Sequence, residues 1–183
     1  MDARSESEPT PMKNPTTVER TSDRAFVVKR TFNGPARLVF EAWTTPELLK
    51  RWWVPKSTGM SLLSCEADVR VGGSYRFVLA LEPSKTMAFF GRYLEVTPPS
   101  RLVWTNEEGR GDAPITTVTF EEKGGRTLVV LHELHPTKEA VDVAIASLEG
   151  MGEPFEQLDE LLVTLGANGR ARTAGRNDAV DPT

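Results

Sequence analysis

A single cysteine, Cys65, stands in the 183 residues of the chain, so no internal disulfide braces it and a reducing compartment suits it. Long apolar runs are missing too. None approaches the roughly 20 residues that span a bilayer. The segment from Met1 to about Arg20, rich in Ser, Glu, Pro, Thr and Asn, has no apolar stretch that would serve as a secretory signal. The expected location is cytoplasmic. Positive charge is in deficit, with 22 Lys and Arg against 26 Asp and Glu for a net charge of -4. That balance excludes a nucleic-acid binder built on a basic stripe. The one basic cluster, Arg170, Arg172 and Arg176, lies among small and polar residues and reads as a solvated tail. There is no Gly-x-Ser-x-Gly elbow, phosphate loop or dinucleotide fingerprint.

What is present is one domain's worth of patterned sequence. Residues 1–22 and 167–183 are short of large apolar side chains and read as disordered tails, leaving a folded unit of about 23–166. Arg24 to Phe32 has the Val and Phe content of a strand, closed by Asn33-Gly34-Pro35. Leu38, Val39, Ala42 and Trp43 then follow helical spacing, and Thr45-Pro46 restarts a second short helix limited by Pro55. Six strands follow, near 60–70, 74–81, 86–96, 101–107, 115–122 and 126–133, separated by Gly- and Pro-rich turns. Such short connections imply an antiparallel meander. Val141, Ile145, Leu148, Phe155, Leu158, Leu162 and Leu165 form the stripe of a terminal helix, interrupted by Gly150, Gly152 and Pro154, with Gly166 as its C-terminal cap. The in-phase stripe favours a kinked or closely joined helix. The fold class is α+β: a curved antiparallel sheet of about seven strands around a long C-terminal helix, with two short helices after the first strand.

Several residues invite chemistry. Asp68 and Arg70, two apart on a strand, share a face and read as a register-fixing ion pair beside a hairpin, with Gly72-Gly73 supplying positive backbone angles. The alternative puts Arg70 at a cavity mouth, gripping an anion. His132 and His135 point to opposite faces of a strand end, which does not make a metal site. Cys65 beside Glu66 reads as a buried structural thiol rather than a nucleophile. Glu95 and Glu133 are acids of interest if they face inward, with Arg92 as a partner. No catalytic residue, metal or cofactor is assigned.

Taken in order, Pro35-Ala-Arg-Leu-Val-Phe-Glu-Ala-Trp-Thr-Thr-Pro-Glu-Leu-Leu, Trp52-Trp53-Val-Pro55, Cys65-Glu-Ala-Asp68-Val-Arg70-Val-Gly72-Gly73, Gly91-Arg-Tyr93-Leu-Glu95-Val, Pro98-Pro99-Ser-Arg101-Leu102 and Met151-Gly-Glu-Pro-Phe155-Glu-Gln-Leu158-Asp-Glu-Leu span nearly all of 26–165. In this order they resemble the C-terminal-domain-like family of the activator of heat-shock protein 90 ATPase, within the START-like (polyketide-cyclase/lipid-transport) superfamily. The resemblance implies a helix-grip fold with a cavity between sheet and long helix. Its candidate lining is Phe40, Trp43, Trp52, Trp53, Tyr75, Phe77, Leu79, Phe89, Tyr93, Trp104, Phe120, Met151, Phe155 and Leu158. Close packing into a solid core is the competing outcome. Trp52 and Trp53 are adjacent, so one is expected inward and the other exposed or forming a lid. Phe89 and Phe90 oppose each other, which leaves the inward face of their strand open. The leading expectation is a binding protein for a small hydrophobic molecule. A cyclase- or hydrolase-type enzyme using the same cavity is an alternative, as is a co-chaperone or other interaction module. The eukaryotic activator carries a further N-terminal domain that a 22-residue tail does not replace, which weighs against the chaperone reading. A homodimer through exposed Trp52 or Trp53 is a further expectation.

Overall fold

A computed structural model describes residues 14–148 and 152–174. Strands β1 (Thr17–Ser22) and β2 (Ala25–Phe32) lead into helices α1 (Ala36–Thr44) and α2 (Pro46–Trp52) and a 3-10 turn at Lys56–Thr58. Then come β3 (Ser61–Ala67), β4 (Ser74–Glu82), β5 (Lys85–Thr97), β6 (Arg101–Thr105), β7 (Ile115–Lys123) and β8 (Arg126–Leu134). Helices α3 (Lys138–Ser147) and α4 (Gly152–Ala174) end the described chain. The strands form one antiparallel sheet ordered β1-β2-β8-β7-β6-β5-β4-β3. The expected meander runs from β3 to β8, and β2 closes on β8.

Cross-strand register sorts the helix-facing side of the sheet into rows. Phe26, Glu133, Thr116 and Trp104 are successive partners across β2, β8, β7 and β6. The next row is Val28, Leu131, Val118 and Leu102. Arg30, Val129 and Phe120 follow, and then Phe32, Thr127 and Glu122. The last row receives α1. Pro35 brings no capping side chain of its own, so Glu122 accepts from the Ala36 amide at 2.8 Å, while Thr127 donates to the Gly34 carbonyl at 2.7 Å. Helix α4 packs Leu158, Leu161 and Leu162 into the same end, and buried Arg30 holds Asp159 of α4 at 2.7 Å.

The sheet has eight strands, not about seven. The extra one, β1, lies in residues read as tail. Its six residues are all exposed, so it is an edge strand held by backbone pairing and leaves no apolar period to read. At the other end α4 runs through Gly166 and Gly169 to Ala174, because each interior glycine costs only about 1 kcal/mol and the flanking Ala and Arg residues favour helix. Residues 1–13 and 175–183 of the expected tails, Arg176 among them, lie outside the described residues, as does the join at 149–151 between the two separate helices.

Strand β3 stops at Ala67, which places Asp68 and Arg70 in the connecting turn. Their ion pair, 2.8 Å, is formed there on the surface, away from any cavity mouth. Only Gly72 takes a positive φ, +80°. Gly73 is needed for a different reason: a Cβ would sit 1.9 Å from the Asp68 carbonyl oxygen. Strand β6 likewise stops at Thr105, short of the expected 107.

Candidate ligand cavity

Between the sheet, α2, α3 and the start of α4 lies a partly open space of about 540 Å³. All four tryptophans of the chain, Trp43, Trp52, Trp53 and Trp104, line it. Strands β4 and β5 add Tyr75, Phe77, Phe89 and Tyr93, and α4 adds Phe155. Alternation along β5 settles which face looks in. Phe89 and Tyr93 line the cavity, whereas Phe90 lies against the Arg76 guanidinium at 5.6 Å. Between Phe89 and Tyr93, Gly91 allows the closest approach of β5 and β6, since a Cβ there would meet the Thr105 carbonyl oxygen at 1.9 Å.

Neighbouring elements hold the aromatic wall in place. Trp52, only 2% exposed, donates its indole N–H to the Ala42 carbonyl at 3.0 Å and so ties α2 to α1. Gln157, buried on α4, donates to the carbonyls of Trp52 and Val54, each at 2.9 Å, and accepts from the Lys56 amide at 2.9 Å. This clamp fixes the bend that follows α2. Trp53, the C-cap of α2 with helical backbone angles, packs edge-on against Phe77 and Phe89, at ring separations of 5.0 and 5.2 Å. Glu153 fastens the next turn by accepting from both the amide and the hydroxyl of Ser57, which holds its carboxyl below the usual range. Gln157 carried no sequence signal beyond being a polar residue inside an apolar stripe.

One end of the cavity is polar. Asn106 donates to the Thr116 hydroxyl at 2.8 Å, while its Oδ1 accepts from Tyr75 at 3.2 Å and from the Trp104 indole at 3.3 Å. Tyr75 also donates to the Thr105 carbonyl at 2.8 Å, and burial pushes its phenol pKa upward. Glu133 holds His135 Nε2 at 2.9 Å, and the buried imidazole stacks on Phe26. The buried Trp43 indole nitrogen of the wall has no hydrogen-bond partner among the described residues, and burial pushes the phenol pKa of Tyr93, 5% exposed, up to about 12.

Several sequence expectations need correction. Both Trp52 and Trp53 line the cavity, Trp52 packing on Phe155 of α4 and Trp53 on Phe77 and Phe89 of β4 and β5. Phe40, Leu79, Phe120 and Leu158 are buried but do not line the space. Phe40 and Phe120 pack on each other at 5.3 Å at the filled end. Met151 lies outside the described residues. Of the acids, Glu133 faces in; Glu95 pairs instead with Arg101 at 3.0 Å, and Arg92 lies 3.9 Å from Glu107. Cys65 is buried with its thiol pushed up to about 11, chiefly by burial; the carboxylate that adds to this is Glu47, while Glu66 points away. Among the described residues no group of three or more His, Cys, Asp or Glu is placed to hold a metal ion, and no helix is long and apolar enough to cross a membrane.

A curved antiparallel sheet gripping a C-terminal helix, with an aromatic space between them, defines the helix-grip, START-like class. The chain belongs to the family described as Activator of Hsp90 ATPase homolog 1-like protein, whose pattern it matches over residues 33–163. A protein from Nitrosomonas europaea is 29% identical, with a TM-score of 0.69, over 81% of this chain and 99% of that one. A Staphylococcus epidermidis protein is 26% identical, with a TM-score of 0.68, over 81% and 94% of the two chains. A Rhodobacter sphaeroides protein, 24% identical over 82% and 99% with a TM-score of 0.76, shares the fold. No curated protein matches the chain.

Proposed function

We propose that the chain binds a small hydrophobic or aromatic molecule in this cavity. The observation that carries the reading is the cavity itself: about 540 Å³ of space with predominantly apolar, aromatic walls and a few converging polar groups at one end. That is the size and composition of small-molecule sites. Protein interiors otherwise pack at crystal-like density, so a void of this volume in a small domain calls for an occupant. The polar end would orient a guest, and the apolar walls would supply most of the affinity. An enzyme reading draws on Glu133 and His135, yet no side chain there is arranged as an activated nucleophile, so binding without chemistry is the better fit.

Native mass spectrometry of freshly purified protein, followed by organic extraction, tests the reading. A reproducible small molecule released on denaturation, or saturable uptake of the neutral fluorophore N-phenylnaphthylamine by the empty protein, is the expected result. A bare protein that also takes up no fluorophore would overturn it.

A further inference from the structure

The charge and surface chemistry of the cavity walls point further, and we propose that its preferred guests are cationic: apolar or aromatic molecules carrying an amine, with carboxylates rejected. This rests on the ligand-binding reading above and specifies its chemistry. The sign of charge is the first observation. Glu133 and Glu108 line the cavity, and among the described residues no Lys, Arg or His does.

Position is the second. Glu133 lies in the row of Phe26, Thr116 and Trp104, with its side chain 21% exposed. Its Oε2 is taken by His135, and its Oε1 makes no hydrogen bond among the described residues, leaving an acceptor beside the apolar wall. Arg24 donates to the His135 carbonyl from behind, at 3.1 Å, and is not part of the wall. Glu108, exposed at the rim, accepts from the Phe90 amide through Oε1.

The third observation is what surrounds these acids. Four indoles and the rings of Tyr75 and Tyr93 present electron-rich π-systems, which attract a cation and repel an anion. The hydroxyl of Tyr93, a cavity-lining residue only 5% exposed, offers a further acceptor to an ammonium N–H. A carboxylate guest would meet Glu133 in a poorly screened space with no countercharge in the wall.

The test uses three naphthalene probes of matched size on the full-length protein: naphthylmethylamine, naphthylmethanol and naphthoate. Affinities measured by calorimetry are expected to fall in that order, with the amine ahead of the carboxylate by about tenfold or more. Glu133→Gln should narrow the gap severalfold, and Glu108→Gln should narrow it less. Equal or tighter binding of naphthoate to the wild type would overturn the proposal and leave hydrophobic binding standing. Unchanged selectivity in both glutamine variants would also overturn it. If none of the three probes binds, the ligand-binding reading fails, and this inference with it.

Discussion

The two ends of the helix-facing side of the sheet differ. At one, the rows of Arg30, Val129 and Phe120 and of Phe32, Thr127 and Glu122 are covered by α1 and α4. Phe40, Leu158, Leu161 and Leu162 fill the space, and Glu122 and Arg30 of the sheet answer the polar groups of the arriving helices. At the other, the row of Phe26, Glu133, Thr116 and Trp104 faces the start of α4 and the short α3, and about 540 Å³ remains open. One sheet serves both purposes because the length and position of the covering helix decide where packing stops. The filled end holds the fold together, and the open end is where a guest would be taken up.

The comparison can be broken most severely at the filled end. Phe120→Ala removes a ring packed on Phe40 and Trp43 where no neighbour can collapse, so urea unfolding should register a loss of about 4 kcal/mol. Gln157→Ala cuts the tie between the two ends. Three hydrogen bonds, one buried and two part-buried, go with it, and a loss on the order of 3 kcal/mol is expected, together with weaker probe binding as Trp53 comes loose.

Alkaline pH acts on the core through Cys65, whose folded-state pKa is raised from 9.0 to about 11. A raised value means the native state holds its proton more tightly. The stability this contributes is therefore complete below pH 9 and lost as pH climbs through about 11. Thermal melts across that window check it, and Cys65→Ala should flatten the slope. Smallest of all should be Phe89→Ala, at about 1 kcal/mol by urea unfolding, because a half-buried ring that already borders open space leaves little new cavity.

How far each end could be read from sequence differs in the same way. Alternating Tyr75, Phe77 and Leu79, the turn glycines and the Leu158–Leu162 stripe announced sheet and helix, because burial on one face imposes a period. Strand β1 imposed none, being exposed throughout. The cavity list included Trp43, Trp104 and Phe155 but also Phe40 and Phe120, since inward-facing aromatics look alike whether they border a void or fill a core. Glu133 stood out as an acid, but its partner His135 was weighed only as a metal ligand. The Trp53 bend hung on Gln157, more than a hundred residues away, and no local pattern reports such a contact.

The central claim is that the open end takes a guest. All four tryptophans line that end, so exciting them while adding N-phenylnaphthylamine reads binding at the site itself. Saturable, one-site sensitised emission from the wild type, abolished in Ala144→Trp where a ring from α3 fills the space, is the expected result. Emission that never saturates, or that is identical in the filled variant, would contradict it.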